Sequence, residues 1–281
     1  LKFTYFQGRP NLPVQVTYMR LVCLILIFFF QSTWAADATL SVGKPSDVGM
    51  DATIVEAGVN MYRDAIERDE VRSAVILIAR KGRVVVHEAL GWKDKESGVP
   101  LKKNAMFRMA SNTKPVVATA VAILSEKSRL KFDDPVYRHF SSFNNDRAKG
   151  ITLHHLLTHT SGFRIKPIFF KPLIEKSVKH PDAPSLKLEV DRFGEIGAAK
   201  PIGESYSYSN AGFNTLGAVV ETVTGKPLEI YLDQLIYKPL GMDDSYHHEV
   251  ADKLAGKLDR MSVVYYQRDG KWIEGWKPGQ P

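Results

Sequence analysis

Met109-Ala-Ser-Asn-Thr-Lys-Pro115 is the most informative stretch of this sequence, because an apolar stripe follows it at once. The stripe has helical spacing and consists of Val116, Val117, Ala120, Val121, Ile123 and Leu124. A proline deep inside a helix removes a hydrogen bond and clashes with the preceding turn, at a cost of about 3 kcal/mol. The helix must therefore begin only a few residues before Pro115, which puts Ser111 in or beside its first turn.

Ser111 and Lys114 are three residues apart, so on a helix they lie on one face and the ammonium can reach the hydroxyl. A lysine can activate a serine as a nucleophile if burial or a cationic neighbour lowers the lysine pKa. The same spacing occurs at two other pairs, Ser41/Lys44 and Ser128/Lys131. Only Ser111 stands at the start of an apolar helix. On spacing alone, a plain helix N-cap is the simpler interpretation of Ser111.

The segments that surround this helix predict an α+β fold. Asp51–Asp69 has helical periodicity, and two β-branched runs, Ser73–Ala79 and Val84–His87, flank a turn at Lys81-Gly82. A helix followed by a hairpin favours α+β over a parallel sheet of alternating strands and helices. Further along the chain, we expect helices at Ile151–His159, Gly212–Val223 and Leu228–Ile236, an irregular proline-rich stretch at Lys166–Lys200, and a strand pair around Asp269-Gly270 within Ser262–Trp276.

Composition excludes several classes of protein. The chain has 281 residues, 44% of them hydrophobic and 25% charged, which is ordinary for a globular protein and excludes bulk disorder, collagen and a coiled coil. The single cysteine, Cys23, excludes a disulfide scaffold and a cysteine-based zinc cage. The net charge is +7, with both signs interspersed and no basic run interleaved with aromatic residues, so we expect no nucleic-acid partner.

The N-terminal region has the pattern of a secretory signal peptide. Arg20 precedes the apolar run Leu21–Phe30, and small residues lead to a predicted cut after Ala35. Ten apolar residues are fewer than the about 20 that span a bilayer, which disfavours the alternative of a retained anchor. Residues 1–18 precede a plausible initiator, Met19, and we expect them to lie upstream of the working protein. The mature chain is then expected to be periplasmic or secreted, with no stable membrane span.

A second motif, Tyr208-Ser-Asn210, lies 97 residues after Ser111 and just before a predicted helix. By itself it is also compatible with a turn in which Asn210 caps that helix. Together with Met109–Pro115, Leu156–Gly162 and Pro239–Met242, it resembles the serine β-lactamase and penicillin-binding-protein-like superfamily over residues 50–270. The pattern is most similar to the class C β-lactamase-related branch, which includes D-alanyl-D-alanine carboxypeptidases, D-aminopeptidases and esterases.

The resemblance implies a role for each motif residue. Ser111 would be the acylated nucleophile, its backbone N–H would form half of an oxyanion hole, and Lys114 would take or relay its proton. Tyr208 would be the base or proton relay of acylation and deacylation, and Asn210 would hold substrate through its amide. Tyr206 also lies in this segment, but only Tyr208 has asparagine two residues later, so we assign the role to Tyr208.

The resemblance also implies an antiparallel sheet flanked by helices, with a helical insertion. Within residues 36–281 we assign 36–130 and 245–281 to the sheet part and 131–244 to the helical part, and residues 1–35 to the signal peptide and upstream sequence. The third family motif, Lys-Thr-Gly or His-x-Gly on a strand, is missing. Lys277-Pro278-Gly279 has a similar outline, but its proline could not pair in a central strand. We therefore expect the chain to stop short of the last strands and of the second oxyanion donor.

His155 and His159 have a spacing that can ligate zinc on a helix, but no third ligand stands at a recognised spacing. We expect no metal and no cofactor, and we do not expect a Ser-His-Asp triad that uses His159. The predicted function is an exported serine hydrolase that forms an acyl-enzyme on an ester, an amide or D-amino-acid cell-wall peptide, or a β-lactam. The alternative is a non-catalytic or penicillin-sensing binding domain on the same fold.

Overall fold

The structure, a computed structural model, describes residues 40–165, 176–179, 181, 185–246 and 256–278. The predicted signal peptide and its cleavage point after Ala35 lie outside these residues. Within the described ranges, no helix has the length and apolar character needed to cross a membrane. The chain forms two compact units, one ending at Lys103 and the other beginning at Asn104.

The helices and strands are numbered in chain order. The strands are β1 (Ser41–Val42), β2 (Ser73–Arg80), β3 (Arg83–Asp94), β4 (Val99–Pro100), β5 (Val264–Arg268) and β6 (Lys271–Trp276). The α-helices are α1 (Ala52–Glu67), α2 (Thr113–Glu126), α3 (Leu153–Leu157), α4 (Leu186–Ile196), α5 (Asn210–Thr224) and α6 (Leu228–Leu232). Short 3₁₀ turns occupy Pro45–Val48, Ala110–Asn112, Val136–Arg138, Ser141–Phe143 and Leu258–Arg260, and a π-helical turn, Asp233–Tyr237, continues α6.

The first unit confirms the predicted helix and hairpin. Asp51 caps α1 because its carboxylate accepts hydrogen bonds from the backbone N–H groups of Thr53 and Ile54, at 2.8 and 3.3 Å. β2 and β3 are antiparallel, and the turn between them places Lys81 and Gly82 at φ 48° and 72°. These two positive φ angles match the tight turns that join twisted strands. β1 adds to β3 in parallel, and β4 adds in antiparallel register.

The second unit is organised around α5, which packs against α2, α3, α4 and α6. A small-residue face lets the neighbours approach, since Gly212, Gly217 and Ala218 of α5 are all buried. The helix ends at Gly225, in the left-handed conformation, as the Gly225-Lys226-Pro227 stop predicts. The largest fully buried side chains of this unit are Phe143, Phe193, Leu124, Ile151, Leu153, Leu156, Leu216 and Leu232.

One expectation for this unit is wrong. Lys166–Lys200 was expected to be irregular throughout, but Leu186–Ile196 forms the helix α4. The prolines that suggested irregularity all precede Ser185, so they do not interrupt the helix. From there the apolar residues recur at helical spacing, and Val190 and Phe193 are fully buried. Burial of one face of α4 against α5 stabilises this helix, whatever the composition of the segment before it.

The strand pair near the end of the chain is confirmed. β5 and β6 are antiparallel, and Asp269 and Gly270 occupy the turn at φ 53° and 71°. Helices and antiparallel sheet together make the predicted α+β class. The predicted division at residues 130 and 245 remains a prediction.

Candidate active site

Ser111 lies in the 3₁₀ turn Ala110–Asn112, immediately before α2 begins at Thr113. Pro115 is the third residue of α2, within the first turn as predicted. Ala110, directly before the serine, has φ 45°, a left-handed conformation that non-glycine residues rarely adopt. Ser111 is exposed, and the start of α2 has no side-chain N-cap hydrogen bond. The interpretation of Ser111 as a plain N-cap is therefore wrong, and its hydroxyl has other partners.

Two side chains converge on the Ser111 hydroxyl. Lys114, one turn along α2, donates from Nζ to Ser111 Oγ at 3.2 Å. Tyr208 donates its phenolic O–H to the same oxygen at 2.7 Å, across 97 residues of sequence. The Lys114 ammonium also lies 4.6 Å from the centre of the Tyr208 ring, so the three groups form one cluster.

This cluster lowers the pKa of the Tyr208 phenol below its ordinary value. Hydrogen bonding to Lys114 is the largest cause, hydrogen bonding to Ser111 is the second, and the charge of Lys114 adds to both. Desolvation acts in the opposite direction but is outweighed. Of the two tyrosines in this segment, Tyr208 bonds to Ser111, whereas the Tyr206 side chain is 68% exposed.

Asn210 is the first residue of α5, and its side chain faces Lys114. Its Oδ1 accepts a hydrogen bond from Lys114 Nζ at 2.7 Å. The N-cap of α5 is Ser209, whose Oγ accepts from the backbone N–H of Gly212 at 3.0 Å. Because Ser209 supplies the cap, the Asn210 amide is available to the cluster. The structure thus brings together all four predicted site residues, Ser111, Lys114, Tyr208 and Asn210.

His159 is a fifth residue of the cluster that sequence reasoning did not place there. Its Nδ1 accepts a hydrogen bond from the backbone N–H of Ser209 at 3.1 Å. Its ring centre lies 4.6 Å from that of Tyr208 and 5.1 Å from that of Phe213. Burial, followed by the charge of Lys114, lowers the pKa of His159. The only signal for it in the sequence was its place in the Leu156–Gly162 motif.

The other candidates from the sequence lie apart from the cluster. His155 Nδ1 accepts from the backbone N–H of Thr152 at 3.2 Å, in the capping box of α3, so the two histidines have different partners. No group of three metal-ligating side chains occurs among the residues that the structure describes.

Ser128 follows α2 in a left-handed turn with φ 54°. Lys277 follows β6 and pairs with Glu274, while Gly279 lies outside the described residues.

Comparison with known families and proteins gives consistent matches. The family model described as Beta-lactamase matches residues 59–260. Esterase EstB of Burkholderia gladioli is 34% identical over 232 residues, which cover 79% of this chain and 57% of the esterase. Penicillin-binding protein 4* of Bacillus subtilis is 30% identical over 176 residues, covering 62% of this chain and 37% of that protein. The chain thus spans about half the length, or less, of these relatives.

Solved structures give the same fold. The hydrolase EstCE1, described as having promiscuous acyltransferase activity, matches with a TM-score of 0.64 and 25% identity, over 80% of this chain and 60% of its own. A class C beta-lactamase matches with a TM-score of 0.64 over 81% of this chain and 58% of its own, at 17% identity. The second likeness bears on the fold alone, and it agrees with the α+β architecture described above.

Proposed function

The chain belongs to the Beta-lactamase family, and from this premise we propose that it is a serine hydrolase that forms an acyl-enzyme on Ser111. The observation that carries the proposal is the convergence of Lys114 Nζ and Tyr208 O–H on one serine oxygen. A nucleophile, a base of lowered pKa and a cation within hydrogen-bonding distance are what acyl transfer needs.

In the proposed acylation step, Tyr208 acts as the base. Its phenolate takes the proton of the Ser111 hydroxyl while Oγ bonds to the substrate carbonyl carbon, and the electron pair of the C=O bond moves to oxygen. Lys114 stabilises the phenolate chiefly by hydrogen bonding, which is the largest cause of the lowered Tyr208 pKa, and its charge adds to this effect. The backbone N–H of Ser111, at the helix start, supplies one hydrogen bond to the new oxyanion.

The intermediate then collapses to the acyl-enzyme. The C=O bond re-forms, the bond to the leaving oxygen or nitrogen breaks, and Tyr208 returns its proton to that atom. In deacylation, Tyr208 takes a proton from water as the water oxygen attacks the ester carbon, and Ser111 Oγ leaves with the proton. Asn210, held to Lys114 through Oδ1, directs its NH₂ group to the substrate.

The proposed substrates are small carboxyl esters, amides or D-amino-acid peptides, and lactams. An esterase and a penicillin-binding protein are among the relatives of this chain. All three substrate types react at a carbonyl through the same tetrahedral oxyanion, so one cluster of serine, lysine and tyrosine serves each of them. The proposal involves neither a metal nor an organic cofactor.

The test is covalent labelling of the full-length protein. A fluorophosphonate or a fluorescent penicillin should label Ser111, as mapped by mass spectrometry of the labelled peptide. Ser111→Ala should abolish labelling without changing the melt, because an exposed serine contributes little packing. Tyr208→Phe should slow labelling about 10²- to 10⁴-fold, while the control Tyr206→Phe should not. Label on another serine, or an active Ser111→Ala variant, would contradict the proposal.

Turnover distinguishes the enzyme from the binding domain considered above. An enzyme should release the acyl group, so that p-nitrophenyl ester or nitrocefin is hydrolysed many times per Ser111. A penicillin sensor would be labelled stoichiometrically and stay acylated. Labelling of Ser111 without turnover on any of the three substrate classes would favour the sensor.

Export is a separate part of the proposal and rests on the sequence before residue 36. Arg20, the apolar run Leu21–Phe30 and the small residues before Ala36 support cleavage by a signal peptidase. N-terminal sequencing of the protein from the periplasm or medium should begin near Ala36. Recovery of the uncleaved chain in the membrane fraction would favour a retained anchor.

A further inference from the structure

His159 is tied to both backbone neighbours of Tyr208. Its Nδ1 accepts the N–H of Ser209 at 3.1 Å, and its carbonyl oxygen accepts the N–H of Ser207 at 2.7 Å. One residue therefore fixes the chain on each side of the proposed base. These two bonds leave the phenol of Tyr208 little freedom to move away from Ser111.

The His159 ring also supports the Tyr208 ring directly. The two ring planes are inclined by 36° with centres 4.6 Å apart, and Phe213 of α5 packs on the imidazole at 5.1 Å. The backbone of His159 has φ 58°, an unfavourable conformation for a residue with a side chain. Such strain persists only where the surrounding structure enforces it, and it concentrates at functional positions.

The hydrogen bond from Ser209 fixes the tautomer of the neutral ring. An imidazole nitrogen that accepts an N–H carries a lone pair, so the neutral ring has its proton on Nε2. Among the described residues, the titratable groups that contact the ring or act on its charge are Lys114 on α2 and Tyr206 and Tyr208 before α5. Burial and the charge of Lys114 both favour the neutral ring. A second proton would occupy Nδ1 and break the bond to Ser209.

We propose that neutral His159 is a positioning residue that holds Tyr208 against Ser111, through the Ser209 N–H bond and the ring contact. This inference rests on the proposed function, because it assigns His159 to the support of its base. It predicts that protonation of His159 slows acylation, since the bond that holds the Tyr208 segment is then lost. It concerns neither metal binding nor a charge relay to Ser111: the Ser111 hydroxyl bonds to Lys114 and Tyr208, and His159 Nδ1 bonds to the backbone of Ser209.

The test compares two substitutions of His159 in the full chain. His159→Phe keeps a ring against Tyr208 but lacks the acceptor, and His159→Asn keeps an acceptor at the position of Nδ1 but lacks the ring and its titration. We expect acylation of Ser111 to slow about 10- to 100-fold in His159→Phe, because misplacement by about 1 Å can cost that much. His159→Asn should recover part of this loss.

The matched control is His155→Phe, which removes a like bond from a backbone N–H to Nδ1 on the preceding helix. It should lower the melting temperature but leave the acylation rate unchanged. The pH profile gives an independent readout. The wild-type rate should fall at acid pH through protonation of both Tyr208 and His159, and the fall in His159→Asn should be less steep, because only Tyr208 remains.

The outcomes separate this inference from the proposed function. If Ser111 of the wild type acylates but His159→Phe reacts at the wild-type rate, the positioning role is wrong and the proposed function stands. The same holds if His155→Phe slows acylation as much as His159→Phe, or if His159→Asn keeps the wild-type acid profile. If the wild type does not acylate at Ser111, the proposed function and this inference both fail.

Discussion

Lys114 contacts the other three side chains of the proposed site. Its ammonium donates to Ser111 and Asn210 and lies over the Tyr208 ring. A single cation thus contacts the proposed nucleophile, base and substrate-binding amide. Hydrogen bonding to Lys114 is also the largest cause of the lowered Tyr208 pKa, so the pH at which Tyr208 can act depends on this residue.

Removal of this cation should shift the pH dependence in a defined direction. If the phenolate of Tyr208 is the base, the acylation rate rises as pH increases through the Tyr208 pKa. Lys114→Gln removes the largest influence that lowers this pKa, so the rising limb should move to higher pH and the rate at neutral pH should fall. The measurement is the rate of fluorophosphonate labelling of Ser111 against pH.

The control for this prediction is Lys149→Gln, which removes one positive charge from an exposed pair with Asp146. Its pH profile should match that of the wild type, because exposed charges are screened by solvent and salt. A Lys114→Gln profile displaced to lower pH, or not displaced, would show that Lys114 does not tune Tyr208.

The starts of two packed helices position the cluster. α2 carries Lys114 in its first turn, with Ser111 in the 3₁₀ turn directly before it, and α5 begins with Asn210 directly after the Tyr208 segment. The two helices are in contact, and the hydrogen bond from Lys114 to Asn210 joins their N-terminal ends. The cap of α5 by Ser209 fixes where the helix begins and therefore which way Asn210 faces. The segment that carries His159 ends in a turn at Gly162, whose carbonyl oxygen accepts a hydrogen bond from the backbone N–H of Ala199 at 3.0 Å.

Gly162 is expected to tolerate no side chain. Its φ is +74°, and a Cβ there would lie 2.3 Å from the carbonyl oxygen of Lys200. Gly162→Ala should therefore destabilise the protein by about 3 kcal/mol or more, through left-handed strain plus overpacking. Gly225→Ala is the matched control, since its φ is +70° with nothing within 4 Å of the added carbon. It should cost only about 1–2 kcal/mol.

Urea denaturation of the two variants beside the wild type measures both free energies. Equal losses in Gly162→Ala and Gly225→Ala would mean that the Lys200 backbone moves aside and that the close approach carries no cost.

At the scale of the whole molecule, the second unit owes its stability to helix packing around α5. Its core is continuous from α2 through α3, α4 and α6, with many side chains fully buried. Burial of apolar side chains contributes about 1.5–3 kcal/mol for each large residue. The site lies at the edge of this core, so its geometry depends on helices that the core holds together.

Phe193 of α4 offers a test of this dependence. It is fully buried, and Phe193→Ala should lower the free energy of unfolding by about 3–5 kcal/mol because a large cavity remains. Tyr137→Ala is the control, since that ring is 41% exposed and its loss should cost less than about 1 kcal/mol. Denaturant titration measures both losses of unfolding free energy, provided that the dependence of this free energy on denaturant concentration has the same slope in each variant. A Phe193→Ala loss no larger than that of Tyr137→Ala would place α4 outside the cooperative core.

Most local structure was predictable because it depends on residues close in sequence. The hairpin β2–β3 follows from two β-branched runs around Lys81-Gly82, and the start of α2 follows from the restriction that Pro115 imposes. The helix α4 was not predicted because the prolines before Ser185 suggested irregular structure throughout, although burial of Val190 and Phe193 against a later helix stabilises it.

The sequence alone predicts the α+β class and the pair Ser111 and Lys114 from helical spacing, a local property. Tyr208 and Asn210 became site candidates through the resemblance of short motifs to a known family. Tertiary packing determines which hydroxyl caps a helix and which approaches Tyr208. Ser209, and not Asn210, caps α5, and Ser111 meets Tyr208 across 97 residues. It also decided the place of His159, 50 residues before Ser209. Contacts at such separations arise when packed helices bring distant segments together, and no local periodicity records them.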